Sequence, residues 1–353
     1  MIPEATIDAM ESFLRETARF GNLYLSDEQE AAILDDLRSA GARLLGTTAD
    51  AVAVVSGASE GLSQVASLLE PEDGTVVLVG SDFPSVTYPW LAAAERGGIS
   101  LRFVDDRADR DLTRDLVEAI DPATVVVAFG VVQYATGTRV DVRPVADRAH
   151  EVGARVVVDA TQLAGAGVVD MGGWGADALV TSGYKWLSAH GGVALLALAP
   201  DLVPRRPALV GWMGAEHPFA FDPLRLRLAE TARRFQLSTM SYASATGLGS
   251  SIAMLSAVGF ERIEGHARGL AASLIDRVAE LGWRPFRLPD DPSAAPHIVS
   301  LRHADHDPAV TAERLASEFG IVCGGRGGGL RFSLHVYNDG DDLDRLVEAL
   351  GAL

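Results

Sequence analysis

Seven short apolar runs, rich in β-branched residues, alternate with helical patterns over the first two thirds of the chain. They lie at 51–56, 75–81, 99–104, 124–129, 154–159, 176–182 and 192–199. Each run is apolar at consecutive positions, which is typical of strands buried on both faces. Helical patterns separate several of them, at 59–69, 86–96 and 142–152. The pattern predicts an α/β fold with a mostly parallel seven-stranded sheet flanked by helices.

The pattern changes after residue 200. Pro, Arg and aromatic residues increase over 200–227, which predicts an ordered connection rather than a flexible linker. A smaller α+β domain is then predicted from one long helical stretch at 243–279, strands at 297–302 and 329–335, a helix at 311–319 and a closing helix from Asp341. We therefore expect three parts: an N-terminal helical segment (1–25) packing with the small domain, a large domain (26–240) and the small domain (241–353).

Charge and composition exclude several classes of protein. The chain has 30 basic and 48 acidic residues and a net charge of −18, which disfavours binding to nucleic acid or anionic membranes. The acidic N-terminus does not resemble a signal peptide, and no apolar run is long enough to span a membrane. A single cysteine, Cys323, agrees with a reducing compartment, so we expect a cytoplasmic protein. The two histidines in 303–306 lack a second pair at ligand spacing, so no metal site is predicted.

Lysine is nearly absent. Of the 30 basic residues, 29 are arginine and one, Lys185, is lysine. An amine can lose its proton and attack a carbonyl, whereas a guanidinium stays protonated. Lys185 therefore marks a position that arginine does not fill.

Polar residues follow the predicted strands at the edge where ligands bind in such sheets. Asp159 ends a strand otherwise made of valines, where a buried carboxylate needs a cation as partner. Lys185 follows the next strand, 26 residues later. Earlier, the sequence at 56–61 reads as a glycine turn opening a helix, whose N–H groups suit a phosphate. An ordinary helix cap by Ser56 or Ser59 explains the same segment without a ligand.

Four spaced motifs resemble one family. They are SGASEG (56–61), DFPSVTYPW (82–90), VVDATQ (157–162) with TSGYKW (181–186), and LRFSLHVYND (330–339). From about residue 40 to its end, the chain resembles the class V aminotransferases of the fold-type I pyridoxal-phosphate (PLP) enzymes. That group includes cysteine desulfurases, kynureninases and isopenicillin N epimerase-like proteins.

The resemblance implies a role for each matching residue. Lys185 would hold PLP as a Schiff base and carry the proton at the substrate Cα. Asp159 would keep the pyridine nitrogen protonated. Phe83 would stack on the cofactor, and Gln162 and Tyr134 would lie at its phenolic oxygen.

The remaining implied residues surround the phosphate and the substrate. Ala58, Ser59, Ser182 and Tyr184 would hold the phosphate. Trp212, in a GWMG segment similar to that of kynureninases, is a further candidate for cofactor contact. Thr239 resembles a threonine that reaches a neighbouring subunit's phosphate, which implies a homodimer. Arg331 would bind the substrate carboxylate through its two-pronged guanidinium group.

The sequence departs from the family in three places. Family members usually have a strand ahead of the helix at which this chain opens, so part of the substrate wall is expected to differ. Cys323 reads as part of a buried strand rather than the mobile loop of a desulfurase, which argues against persulfide chemistry. Gln162 replaces the usual histidine of kynureninases.

Several reactions remain open at this stage. A PLP-dependent aminotransferase acting on an amino acid and a keto acid is the first expectation, and a β-lyase (a C–S lyase or kynureninase-like enzyme) or an epimerase is the alternative. A serine hydrolase using GASEG (57–61) is a more distant one, because the oxyanion motif of that fold is missing upstream. An effector-sensing domain of a transcription regulator disagrees with the acidic charge.

Overall fold

A computed structural model describes residues 1–21 and 24–353 of the chain, so residues 22 and 23 of the predicted N-terminal segment lie outside the described residues. Within them, the larger sheet has seven strands: β1 (Val52–Val55), β2 (Gly74–Val79), β3 (Ile99–Val104), β4 (Thr124–Gly130), β5 (Arg155–Asp159), β6 (Ala178–Ser182) and β7 (Ala194–Leu198). They lie in the order β1-β7-β6-β5-β4-β2-β3, and only β7 runs against its neighbours. The predicted mostly parallel seven-stranded sheet is confirmed.

Helices cover both faces of this sheet. The first seven are α1 (Glu4–Phe20), α2 (Asp27–Leu45), α3 (Ala58–Leu69), α4 (Pro84–Glu95), α5 (Leu112–Ala119), α6 (Val142–Glu151) and α7 (Met171–Trp174). Successive strand residues point to opposite faces. Val54 therefore packs in one core with Leu37 of α2, whereas Val55 packs in the other with Leu62 of α3 and Trp90 of α4. Burial on both faces explains why the strands carry no polar alternation.

The long helical stretch predicted at 243–279 is two helices, α8 (Tyr242–Val258) and α9 (Phe260–Val278). Gly259 separates them with a φ of 95°, a conformation that favours glycine and ends α8. The two helices meet at 74°. Helix α1 packs along α8, so the N-terminal segment lies against the first helix after the connection.

The C-terminal part builds a second, smaller sheet. Its four antiparallel strands are β8 (Arg284–Pro285), β9 (Ile298–Arg302), β10 (Gly324–Arg326) and β11 (Gly329–Ser333), in the order β10-β11-β9-β8. Helix α9 and two later helices, α10 (Pro308–Phe319) and α11 (Gly340–Gly351), pack on this sheet. Leu301, Leu315, Phe332 and Leu346 share the resulting core. The small sheet brings the β10–β11 hairpin to the large domain.

The structure corrects the expectation for Cys323. This residue is not in a strand but in the irregular segment between α10 and β10, and it is only partly buried. Its neighbour Val322 is 90% exposed, so the apolar run at 321–323 does not alternate or bury as a strand does. Burial against the small-domain core raises the pKa of the Cys323 thiol to about 11.

Among the described residues no single helix is long and apolar enough to cross a membrane, although α8 and α9 together have sufficient length and apolar composition across their bend. Over the same residues, no group of three or more His, Cys, Asp or Glu side chains is placed to hold a metal ion.

Candidate active site

A cavity of about 310 Å³ opens at the carboxyl ends of the parallel strands. Ten of the residues implied by the resemblance line it: Ala58, Ser59, Phe83, Tyr134, Asp159, Gln162, Ser182, Tyr184, Lys185 and Arg331. They come from the last residues of β5 and β6, from the segments that follow β1, β2, β4, β5 and β6, and from β11 of the small sheet. Ligands bind at this edge of open α/β sheets. The fold thus assembles residues that are up to 273 positions apart in one site.

Asp159 is a buried acid without a cationic partner. Its side chain is 8% exposed and accepts a hydrogen bond from the backbone N–H of Thr161 at 2.8 Å. The Thr161 hydroxyl in turn accepts the backbone N–H of Ser182 at 3.1 Å, which ties the ends of β5 and β6 together. Burial raises the pKa of Asp159, and no arginine, lysine or histidine of the described residues forms an ion pair with it. Such a carboxylate requires a cation or a donor from a ligand.

Lys185 lies in the turn directly after β6 and is half-buried. Its amine sits 5.2 Å from the centre of the Tyr184 ring. Burial lowers the pKa of Lys185, and the positive charges of Arg331 and Arg326 lower it further. A larger fraction of the amine is therefore neutral near physiological pH than in a free lysine, as a nucleophile or base requires.

The start of α3 borders the cavity without a side-chain cap. Gly57 occupies the cap position and makes no side-chain hydrogen bond. Ser56 donates its backbone N–H to the Glu60 carboxylate at 2.9 Å, and the hydroxyl oxygens of Ser59 and Ser85 are 2.6 Å apart. Neither serine caps the helix, so the ordinary-cap explanation is wrong. The first N–H groups of α3 are available to an anion in the cavity.

The same contacts disfavour a serine hydrolase. A nucleophilic serine needs a general base within hydrogen-bond reach. The partner of Ser59 is the hydroxyl of Ser85, and no histidine of the described residues lines the cavity.

Two aromatic rings form one wall. Phe83 is 43% exposed and meets Tyr134 edge to face, with ring centres 5.5 Å apart. Phe83 is fixed by its neighbour Asp82, whose carboxylate accepts the backbone N–H groups of Phe83 at 2.9 Å and Gly130 at 2.6 Å. Burial, together with the charge of Asp159, raises the pKa of Asp82 to about 7. Asp82 therefore positions the loop that carries Phe83.

The amide of Gln162 is oriented by two donors. Its Oε1 accepts the indole N–H of Trp186 at 2.9 Å and a guanidinium N–H of Arg331 at 3.3 Å. Because both donors face Oε1, the amide NH₂ remains free to donate toward the cavity. This orientation agrees with the contact to the cofactor's phenolic oxygen that the resemblance implies for Gln162.

Trp186 is held between two buried histidines of the small domain. His297 meets its ring edge to face at 4.5 Å, and His335 stacks on it at 5.4 Å. Their Nε2 atoms donate to backbone carbonyls, His297 to Gln162 at 2.5 Å and His335 to Trp186 at 2.8 Å. Burial lowers the pKa of both histidines, that of His297 to about 3, so both are neutral. These contacts join the small domain to Gln162 and to Trp186, the residue that follows Lys185.

We expect Trp186→Phe to lower kcat/KM about 5-fold, because it removes one hydrogen bond to Gln162, worth roughly 1 kcal/mol, and lets the amide rotate. Steady-state kinetics across pH would measure this loss. Leu187→Met, at the adjacent buried position, is the control for a general packing defect. Equal losses in both variants would show that the indole N–H has no role of its own.

Trp212 and Thr239 lie outside the cavity. Trp212 packs with Phe219 and Phe221 in the connection between β7 and α8, at ring-centre distances of 5.8 Å each. The structure therefore does not bring Trp212 into contact with the cofactor position of its own chain, because Trp212 packs against aromatic residues of the same connection. Thr239 is exposed, as a residue must be if it serves a neighbouring subunit.

The family is decided by comparison with known proteins. The family model described as Aminotransferase class-V matches residues 1–346. The chain belongs to the class-V aminotransferase family. Enzymes of this family act on amino acids with PLP as cofactor, so the chain is a PLP-dependent enzyme.

Relatives within the class-V family are named either aminotransferases or cysteine desulfurases. The "Uncharacterized aminotransferase YcbU" of Bacillus subtilis (strain 168) is 28% identical over 88% of this chain and 81% of its own. Cysteine desulfurase CsdA of Escherichia coli (strain K12) is 28% identical over 99% of this chain and 90% of its own. A solved complex of the cystine C–S lyase C-DES with cysteine persulfide has a TM-score of 0.90 and 19% identity, and it covers 99% of this chain and 94% of that one. This last likeness confirms the fold.

The residues of this class-V chain fit PLP. The buried carboxylate of Asp159 lacks a cation, which a protonated pyridine nitrogen supplies. The uncapped start of α3 presents N–H groups to a phosphate. Lys185 is the amine that can bind an aldehyde. These three features match the pyridine nitrogen, the phosphate and the aldehyde of the cofactor, respectively.

Two residues that shape the site were missed by the sequence reasoning, one in the cavity wall and one behind it. Arg326 of β10 lines the cavity together with Arg331. Nothing in its surroundings at 324–329, which are mostly glycine, distinguishes it from the other arginines. Trp186 follows Lys185 directly, but its role depends on His297 and His335, which lie more than 100 positions away.

Proposed function

We propose that this class-V enzyme is an aminotransferase that acts on an α-amino acid, with Lys185 as the proton carrier. The observation that carries the proposal is the half-buried amine of Lys185 with its lowered pKa, in a cavity whose buried acid, Asp159, lacks a cation. Bound PLP supplies an electron sink when a bond at the substrate Cα breaks.

Different residues of the cavity would contact different parts of the cofactor. Asp159 would hold the proton on the pyridine nitrogen. The start of α3 with Ala58 and Ser59, the hydroxyl of Ser182 and Tyr184 would bind the phosphate. Phe83 would stack on the ring, and the Gln162 amide and Tyr134 hydroxyl would donate to the phenolic oxygen. Each of these side chains lines the same cavity.

Arg331 would bind the substrate carboxylate. Its guanidinium is mostly buried, contacts Gln162 at 3.3 Å and Ser333 at 3.4 Å, and leaves its Nε buried without a partner among the described residues. A carboxylate satisfies such a group through two parallel hydrogen bonds. It would also fix the substrate Cα near the Lys185 amine.

Transamination needs one group that takes a proton from the Cα and returns one to a neighbouring carbon. Lys185 is such a group, because its amine is the cavity's readily deprotonated base. Desulfuration with a cysteine acceptor requires a thiolate at the substrate. The chain's single cysteine, Cys323, does not line the cavity, and its raised pKa keeps the thiol protonated.

A β-lyase is the second candidate. Relatives that are 28% identical are named cysteine desulfurases, and the hydroxyls of Tyr134 and Tyr184 line the cavity, where either could protonate a leaving group. A lyase that releases its product without a cysteine acceptor is compatible with the position of Cys323.

The test is an absorbance spectrum of the purified protein with PLP, followed by product analysis on a panel of amino acids. Formation of a 2-keto acid with stoichiometric transfer of the amino group to a second keto acid supports the aminotransferase. Release of ammonia with pyruvate or sulfide, without transfer, supports the lyase instead. A protein that stays colourless with added PLP contradicts both.

The homodimer remains a proposal. Large apolar side chains are exposed along the connection after β7, with Phe221 68% and Leu224 89% exposed. Exposed apolar groups in a cluster favour a protein interface, and Thr239 near the end of this connection is exposed as well. We propose that a second copy of the chain covers this surface and that Thr239 contacts its phosphate.

We expect Leu224→Glu to raise the dimer dissociation constant, measured by sedimentation velocity, by at least about 10-fold, because the proposed dimer would have to bury a charge in place of an apolar side chain. Val322→Glu is the matched control, since Val322 is 90% exposed on the small domain. A protein that is monomeric at micromolar concentration would contradict the dimer.

A further inference from the structure

We propose that Arg326 binds a second acidic group on the substrate, so that the enzyme prefers amino acids whose side chain ends in a carboxylate or a similar anion. The inference rests on the proposed function, in which Arg331 binds the α-carboxylate. The structural observation behind it is that two guanidinium groups on one hairpin line the same cavity.

The hairpin places the two arginines together. In the β10–β11 pair, Arg331 lies opposite Gly324, and Arg326 lies opposite Gly329. The Arg326 side chain folds back over Gly324, and its Nε lies 3.5 Å from the position that a Cβ of Gly324 would occupy. A Cβ at 324 would make only ordinary van der Waals contact with this side chain. The strand pairing itself therefore places Arg326 and Arg331 on the same face of the hairpin.

Neither guanidinium has an acidic partner in the described part of the chain, whereas another arginine of the small domain does. Arg287, also in the small domain, is buried and pairs with Asp106 at 3.2 Å and Asp291 at 3.5 Å. Arg326 and Arg331 form no such ion pair among the described residues, and the Nε of Arg331 is buried without any hydrogen-bond partner. Arg331 uses its Nη2 for Gln162 and Ser333, so its Nε and the guanidinium of Arg326 are the donors left for groups that enter the cavity.

Two such charges side by side are unfavourable until an anion enters. Burial and the charge of Arg326 lower the pKa of Arg331 to about 10, and the same charge lowers the pKa of Lys185. A ligand with one carboxylate relieves part of this repulsion. A ligand with two relieves more and occupies both guanidinium groups, which is how charge complementarity selects one substrate over another.

The cofactor phosphate is the competing anion for Arg326. The phosphate donors proposed above belong to α3 and β6 of the large domain. Arg326 instead lies on β10 of the small domain beside Arg331. This placement favours the substrate as its partner.

Binding of unreactive acids to the PLP-loaded enzyme tests the inference without turnover. We would titrate succinate and maleate, with propionate as the monocarboxylate, by isothermal calorimetry. We expect the dicarboxylates to bind more tightly. Arg326→Gln should reduce the ratio of propionate to succinate dissociation constants about 30-fold, since hydrogen bonds to charged groups are worth roughly 1.5–3 kcal/mol. Arg326→Lys should recover part of that ratio.

The matched control is Arg302→Gln. Arg302 is exposed, does not line the cavity and donates to the backbone oxygen of Gly327 at 2.8 Å in the same hairpin. The Arg302→Gln variant loses an arginine that supports the hairpin, but the cavity wall keeps all of its charges. We expect its ratio to equal that of the unmodified enzyme.

Turnover gives a second readout. The ratio of kcat/KM for aspartate or glutamate to that for alanine should fall about 30-fold in Arg326→Gln. Arg326→Glu should reverse the preference toward lysine or ornithine.

Three results would overturn the inference: dicarboxylates that bind no better than propionate, a ratio that Arg326→Gln leaves unchanged, or a loss of PLP affinity in Arg326→Gln equal to the loss of dicarboxylate affinity. The last would assign Arg326 to the phosphate. An enzyme that binds dicarboxylates through Arg326 but transaminates no amino acid would instead contradict the proposed function alone.

Discussion

Lys185→Ala is expected to lower turnover by at least about 10⁴-fold, the upper range for loss of a general base, because the cavity then contains no amine to bind the cofactor aldehyde or carry the Cα proton. Stopped-flow absorbance with the purified variant would measure the rate. The fold should be unchanged, because the Lys185 amine makes no hydrogen bond or ion pair within the described residues and the side chain is only half-buried. The hydrogen bond that its backbone carbonyl accepts from Ser188 does not depend on the side chain.

Lys185→Arg is the matched control. It keeps the positive charge and the length of the side chain but replaces the amine with a group that stays protonated. We expect it to be as inactive as the alanine variant. If Lys185→Arg instead retained substantial activity, the amine chemistry assigned to this residue would be wrong.

Asp159→Asn is expected to lower kcat roughly 10²–10³-fold in the PLP-loaded enzyme. The carboxylate would no longer stabilise a proton on the pyridine nitrogen, and breaking a buried ion pair costs about 3–5 kcal/mol. Binding of PLP should persist, because the phosphate and Lys185 contacts remain. A variant with full activity would show that Asp159 is not the cofactor's partner.

In the cofactor-free protein, Asp159→Asn should be favourable, because there it should raise the stability of the fold. Burial raises the pKa of Asp159, so the folded state loses stability as the pH rises from the carboxyl's usual range through this raised value. The asparagine side chain does not ionise, so the variant does not lose stability in this way. Cofactor-free Asp159→Asn should therefore melt at a higher temperature than the unmodified protein at neutral pH, and the difference should vanish at a pH low enough to protonate the carboxyl in both states. Thermal denaturation at several pH values would measure it.

The seven strands of the large sheet were predictable because both of their faces are buried. Val76, Val77 and Leu78 in β2 are fully buried although they point alternately to two cores. A run of β-branched residues in such a position has few alternatives to a strand. Asp159 and Lys185 followed from this prediction, since Asp159 ends one such run and Lys185 comes three residues after the next.

The helices were less predictable. Helix α2 was missed although Ser26 and Gln29 form a capping box and Gly46 ends the helix in a left-handed conformation. Those are start and stop signals that the sequence displays. The break between α8 and α9 depends on the single positive φ of Gly259, and the apolar pattern continues across it.

Long-range contacts explain what the sequence could not show in the site. The position of Cys323 looked strand-like from its apolar neighbours, but β10 begins only at the next residue and Val322 points to solvent. Trp186 gains its role from His297 and His335, and Arg326 gains its role from Arg331 across a hairpin. Such pairings depend on how the small sheet docks on the large one, which no local pattern records.

Reductive trapping with borohydride tests the central claim most directly, because Lys185 is the chain's only lysine and the amino group of Met1 is the only other amine. We expect treatment of the PLP-loaded protein, followed by digestion and mass spectrometry, to place one pyridoxyl group on Lys185 in the unmodified enzyme and none in Lys185→Ala. Cofactor found on Met1 alone, or an unlabelled Lys185 in protein that still turns over amino acids, would contradict the account.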